Sequence, residues 1–432
     1  MPIQTKEELR QVVQETVNTT PISDIHTHLF TEDFGSILLW GIDELLTYHY
    51  LVAETFRFHP ELSYDAFWAM SKTEQADLIW QTLFLDHTPY SEACRGVLTV
   101  LNRLGLDVES RDLASYREYF KKLTTGEYID KVFELSGVTN VCMTNDPFAD
   151  AERAVWEKGT EADPRFHTAL RIDPLLNQWE TTWARLKEWG YEVEQELTET
   201  TLKSIRSFLK DWIERMNPLY MAVSLPPTFA YPEASVRGRL IDECILPVAR
   251  EAGIPFAMMI GVRKKVNPAL GDAGDSVGKS DVSAVENICA QNPDNKFLCT
   301  ILSRDDQHEL TVAARKFRNL HVFGCWWFLN NPSIIEEMTR MRFELLGASV
   351  TPQHSDCRVL DQLLYKWDHS RIIIAKVLYD KYSDVMDTGW KITREEIARD
   401  CADLFGGSFW KFLGKPDPNA SSGAEKKYAG SR

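Results

Sequence analysis

The sequence of 432 residues predicts an α/β fold, a (β/α)8 TIM barrel with a helical insertion after its first strand, and three observations predict it. From about residue 137 onward, short β-branched or apolar runs alternate with longer segments of helical periodicity, the pattern of βαβ units around a parallel sheet. All but the first of those runs are nearly continuous in apolar residues, as expected of strands covered on both faces by helices. No Gly-rich dinucleotide fingerprint opens any of the units, which disfavours an open doubly wound sheet.

Eight candidate strands follow in order, at 22–26, 138–143, 167–172, 219–224, 256–260, 297–301, 321–325 and 346–350. More than a hundred residues separate the first two. Within them, Tyr64-Asp65-Ala66-Phe67-Trp68 and Leu78-Ile79-Trp80-Gln81-Thr82-Leu83-Phe84 repeat apolar positions at three and four, so 36–130 reads as an inserted helical subdomain that caps the site. The barrel itself then comprises 1–35 and 131–413, with a helical connection at about 178–216 between the third and fourth strands. Residues 414–432, rich in Pro, Ser, Gly and charge, read as a mobile C-terminal tail.

Composition narrows the function. A formal net charge of −16 with no basic block argues against nucleic acid or an anionic membrane as partner. A small anionic substrate needs only a local convergence of arginines. No apolar run approaches the roughly 20 residues that span a bilayer, and the N-terminal MPIQTKEELRQVVQETV has no apolar core of a signal peptide, so a cytoplasmic location is expected. The eight cysteines are scattered and mostly within apolar runs, which reads as buried thiols.

Barrel enzymes carry their chemistry at the C-terminal ends of the strands. The first strand runs into His26-Thr27-His28, whose alternation puts two imidazoles on one side, half of a metal site. A catalytic Zn²⁺ takes three protein ligands and keeps a position open. Asp356, after the eighth strand, is the candidate third ligand, because first and last strands of a closed barrel are neighbours. An Asp there serves equally well as the N-cap of the next helix, and the residues alone leave both roles open. The ends of strands four to six offer Ser224, Met259-Ile260-Gly261 and Leu302-Ser303-Arg304, none a strong ligand, so one ion is expected rather than two. Arg171, Arg263 and Arg358 follow strands three, five and eight, and together would form a carboxylate site. Tyr48-His49-Tyr50 opens the insertion with groups suited to proton transfer, and Trp326 ends strand seven as an apolar wall.

These residues resemble the uronate (glucuronate) isomerases, a divergent branch of the amidohydrolase superfamily. The resemblance runs from about Ile22 to Tyr382. It rests on Asp24-Ile25-His26-Thr27-His28, His49-Tyr50, Thr144-Asn145-Asp146-Pro147, Arg171-Ile172-Asp173, Ile260-Gly261-Val262-Arg263, Phe323-Gly324-Cys325-Trp326-Trp327-Phe328 and Asp356-Cys357-Arg358. It implies a distorted barrel holding one divalent ion, Zn²⁺ in the first instance, that converts D-glucuronate to D-fructuronate and D-galacturonate to D-tagaturonate. By the same resemblance His26, His28 and Asp356 are the metal ligands, Asp356 also assists ring opening, His49 and Tyr50 transfer the proton, and Arg171, Arg358 and Trp326 contact the hexuronate. Met259 departs from the pattern, since most family members carry a histidine there. The competing expectations are a metal-dependent hydrolase or decarboxylase on the same barrel and a non-catalytic sugar-acid binding protein. Homo-oligomers are common on this fold, although no self-complementary patch is legible.

Overall fold

The protein is described here by a computed structural model covering residues 2–160 and 163–420. Seven strands form one parallel sheet in sequence order: β1 (Ile22–Thr27), β2 (Val138–Asn145), β3 (Phe166–Arg171), β4 (Met221–Leu225), β5 (Phe256–Ile260), β6 (Phe297–Ile301) and β7 (Leu320–Val322). β2 and β4 to β7 are almost wholly buried, which is why their sequences lack the alternation of a half-exposed strand. Helices pack on the outside, each offering an apolar stripe. In Glu199–Met216 that stripe is Leu202, Ile205, Leu209, Trp212 and Met216.

The expected eighth strand is absent, and the sheet is a curled seven-stranded one rather than an eight-stranded barrel. Residues 346–350 instead finish the helix Pro332–Leu346 and turn through Gly347, whose φ of 59° suits a residue without a Cβ. An irregular extended segment, 351–358, takes the place of the strand. At one end Thr351 bridges Phe323, with Gly324 N–H donating to Thr351 O at 2.7 Å. At the other, Asp356 N–H donates to His26 O at 3.2 Å and His28 N–H to Cys357 O at 2.7 Å. Pro352 brings no donor, and Asp356 sits at φ 52°, so a regular ladder cannot run through the segment. It still joins β7 to β1, and that places Asp356 beside the histidines.

Between β1 and β2 the chain forms a series of helices. Two of them, Lys72–Trp80 and Thr125–Ser136, begin with capping boxes, Ser71 with Glu74 and Thr124 with Glu127. A third, Glu92–Arg103, buries Cys94, Val97, Val100 and Leu101 and packs on the long helix Gln362–Asp387. That long helix also packs against Lys6–Thr19, Thr125–Ser136 and Pro332–Leu346, so it ties the helical layers to the closing segment. Of the expected tail, 421–432 lies outside the described residues. Residues 414–420 turn back on the sheet, where Asn419 donates to Ser23 Oγ and accepts from Thr139 Oγ1. All eight cysteines are buried and free of disulfides. Among the described residues no helix is long and apolar enough to cross a membrane.

Candidate active site

His26 and His28 leave β1 where its pairing with β2 shifts register, between Asp24 and Thr27. Their rings lie 5.5 Å apart between centroids, and both Nε2 atoms face Asp356 Oδ1, at 3.7 Å from His26 and 3.4 Å from His28. Potential ligand atoms of the three residues all lie within 4.8 Å of one another.

The tautomers are set by two hydroxyls. Tyr220 donates its proton to Ile25 O at 2.7 Å, so its oxygen accepts from His26 Nδ1, 3.1 Å away. Thr144 likewise donates to Thr27 O at 2.7 Å and faces His28 Nδ1 at 2.9 Å. Each ring therefore carries its proton on Nδ1 and presents the Nε2 lone pair inward. Burial lowers both imidazoles, His28 to about 4, so they are neutral. Burial alone would raise the Asp356 carboxyl, but the imidazoles of His28, His26 and His354 around it outweigh burial and hold it well below the usual carboxylate range. His26 Nε2 and Asp356 Oδ1 are buried without a hydrogen-bond partner, a costly arrangement unless an ion engages them. Two neutral imidazoles and a carboxylate fit a divalent metal. Among the described residues this is the cluster of three His, Cys, Asp or Glu side chains able to hold one.

A cavity opens in front of this cluster, lined by His28, Tyr48, His49, Arg171, Ser224, Met259, Val262, Lys264, Trp326, Trp327, Asp356 and Arg358. Six of the residues singled out in the sequence meet there: His28, His49, Arg171, Trp326, Asp356 and Arg358. His26 lies behind, fully buried. Tyr50 packs edge-on to His49, 4.5 Å between centroids, with its hydroxyl buried and unpartnered. Arg171 is held by Asp173 through Nε at 2.9 Å and Nη2 at 3.1 Å. Arg358 is 42% exposed, with Asp272 at 3.7 Å as its ion-pair partner.

Arg263, the third arginine expected at the site, does not line this cavity. It lies on a two-residue ribbon, Val262–Arg263 against Ser276–Val277, whose alternation turns Val262 inward and Arg263 to solvent. Lys264 lines the cavity instead.

Sequence reasoning also passed over several residues. Trp327 donates its indole N–H to His49 Nε2 at 3.1 Å, from a backbone at φ 47°. His49 is thereby fixed with its lone pair on Nε2, and burial followed by the field of Arg358 lowers it to about 3. His354, fully buried and 5.2 Å from His26 between ring centroids, has neither ring nitrogen partnered. Asp24 takes hydrogen bonds from Ser355 N at 3.1 Å and Trp367 Nε1 at 2.8 Å. It thus anchors the segment that carries Asp356. The signal for Asp24 was its place two residues before His26. Thr144 stood in one of the motifs of the resemblance without a role assigned to it, and Tyr220 had no signal, because their partners lie 116 and 194 residues away.

Comparison with known proteins gives the arrangement its family. The fold matches a uronate isomerase from Bacillus halodurans C-125 at 60% identity and a TM-score of 0.95, over 96% of this chain and 98% of that one. The chain belongs to the uronate isomerase family. As a uronate isomerase it is an enzyme of the aldose–ketose class. A uronate isomerase from Thermotoga maritima, at 15% identity and a TM-score of 0.75, covers 96% of this chain over its whole length. A glucuronate isomerase from Caulobacter crescentus, at 15% identity and a TM-score of 0.73, covers 96% of both chains. These two share the fold. No family model matches the chain, and no curated protein does.

Proposed function

We propose that this uronate isomerase interconverts D-glucuronate and D-fructuronate, and D-galacturonate and D-tagaturonate, with His26, His28 and Asp356 holding a single ion, Zn²⁺ in the first instance. The observation that carries the reading is the pair of buried, unpartnered ligand atoms, His26 Nε2 and Asp356 Oδ1, set beside a cavity that also holds two arginines. When bound, the ion supplies electrostatic orientation of the substrate carboxylate and C5 hydroxyl.

The reaction moves a proton from C2 to C1 of the open chain through an enediolate, with no net redox change. Arg171, pinned by Asp173, and Arg358, the more exposed of the two, offer planar donors to the anionic substrate and to the developing oxyanion. Asp356, at the cavity wall, assists ring opening, taking the C1 hydroxyl proton as the C1–O5 bond breaks and returning it to O5. His49 and Tyr50 form the proton-transfer pair. His49 lines the cavity and Tyr50 packs edge-on against it with its hydroxyl unpartnered by protein, and one of the two removes the C2 proton and returns it at C1. Trp326 and Trp327 wall the cavity and exclude water from the enediolate.

Proton NMR of metal-analysed protein with D-glucuronate and separately with D-galacturonate tests the substrates. Loss of the anomeric signals with growth of the ketose, abolished by chelation and restored by one equivalent of Zn²⁺, is expected. Conversion of neither hexuronate by the metal-loaded protein would overturn the substrate assignment. Full turnover by the His49→Ala/Tyr50→Phe double variant would overturn the proton-transfer assignment.

A further inference from the structure

Between β5 and the helix Ser283–Gln291 the chain runs out into an arm, 261–282. Its ribbon turns Val262 to the cavity and Arg263 to solvent, and Lys264, next in the alternation, lines the cavity again. A lysine on an exposed arm ordinarily leaves its ammonium in water, where the long stem keeps its rotameric freedom. Lys264 is held instead. Its Nζ lies 2.7 Å from Asp275 Oδ2, and Asp275, with its side chain 6% exposed, is fixed in turn by the Lys265 N–H, which donates to Oδ1 at 2.8 Å. The same Nζ stands 5.8 Å from the centre of the Trp327 ring, the indole that donates to His49. A carboxylate and an aromatic face together keep the ammonium against the cavity.

Each cation of the cavity lining has a carboxylate partner: Asp173 for Arg171, Asp272 for Arg358 and Asp275 for Lys264. They serve different walls. The fields of Arg171 and Arg358 reach His28, in the cluster that fits the ion. On the wall formed by β4, β5 and the arm, the lining is Ser224, Met259, Val262 and Lys264, so Lys264 is the cation of that wall. The field of Asp275 reaches His49, which sets the Lys264 pair at the end of the cavity where the proton is moved. With the carboxylate and C5 hydroxyl of the substrate at the ion, the far end of the open chain falls there. Met259 and Val262 offer its oxygens no hydrogen bond, and burying them unpaired is costly.

We propose that Lys264 is a further substrate-binding residue of the isomerase, donating to the hexuronate oxygens at the C1–C2 end of the open chain. Asp275 positions it. The inference rests on the hexuronate reading and on the ion holding the carboxylate end.

The test compares the metal-loaded parent with Lys264→Met and Asp275→Asn, each checked for metal content and thermal unfolding. Two inhibitors that cannot isomerise separate the ends of the substrate. L-gulonate, the acid left when the C1 aldehyde of D-glucuronate is reduced, keeps all six carbons, whereas glycolate keeps only a carboxylate and its adjacent hydroxyl. Lys264→Met is expected to raise KM for the hexuronate and the inhibition constant of L-gulonate by about 10- to 100-fold, with kcat and the glycolate constant within about threefold of the parent. Metal content and unfolding should not change. Asp275→Asn should move the same two constants in the same direction, by a smaller factor. An unchanged L-gulonate constant in Lys264→Met would overturn the inference. So would an equal weakening of both inhibitors, which marks a general effect of charge, or a loss confined to kcat. A parent that converts neither hexuronate and binds neither inhibitor would remove the hexuronate reading, and this inference with it.

Discussion

At the scale of single residues, the tautomers of His26 and His28 depend on hydroxyls outside the cavity lining. Tyr220 and Thr144 each spend their proton on a carbonyl of β1 or its continuation and so force the Nδ1–H tautomer on His26 and His28. Tyr220→Phe and Thr144→Val should therefore weaken metal binding by about 10- to 100-fold, while the ligands themselves remain in place. Competition with a chromophoric chelator measures this. Affinity unchanged in both variants would show that the tautomers are set by the ion. His26→Ala with His28→Ala should abolish both stoichiometric metal and turnover, read by elemental analysis and NMR.

At the scale of elements, the decisive piece is the irregular segment 351–358, which stands where a barrel has its eighth strand. A handful of backbone bonds join it to β7 and β1, and Asp24 contributes two more through Ser355 and Trp367. Asp24→Ala leaves the buried Ser355 N–H and the Trp367 indole without their acceptor, at about 1–3 kcal/mol each. Chemical denaturation should show a loss of that order, together with weakened metal binding, because Asp356 rides on the same segment. Gly324, at the end of β7, has φ 67°, and a Cβ there would fall 1.6 Å from His354 Nδ1. Gly324→Ala should destabilise the fold more than Asp24→Ala does. A soluble, fully active alanine variant would show that His354 can move aside.

At the scale of the whole molecule, burial has raised several carboxyls that lie away from the cavity. Asp361, fully buried and accepting from Tyr128 Oη at 2.6 Å and Gly41 N at 2.9 Å, is raised to about 6. A carboxyl that binds its proton more tightly when folded loses stability as pH rises from its unfolded value near 3.8 to about 6, since the unfolded chain releases the proton first. At about 1.4 kcal/mol per unit the effect is on the order of 3 kcal/mol. The thermal midpoint of Asp361→Asn relative to the parent should thus climb between pH 4 and pH 6.5. A constant difference across that range would show that Asp361 titrates alike in both states.

What was legible in the sequence is what local chemistry and periodicity dictate: the first seven strands, whose apolar runs announce burial on both faces, and the spacing of His26 with His28. The position of Asp356 after a predicted strand marked it as a candidate third ligand, although the strand itself does not form, because Gly347, Pro352 and the left-handed Asp356 break it. The outward facing of Arg263 was not legible, because a run of residues after a strand does not reveal which face a two-residue ribbon will present. Only the tertiary structure decided the tautomers of the histidines and the capture of His49 by Trp327. Each joins residues more than a hundred positions apart, and no local pattern encodes a hydrogen bond or a field whose two ends the chain brings together only when the sheet curls closed.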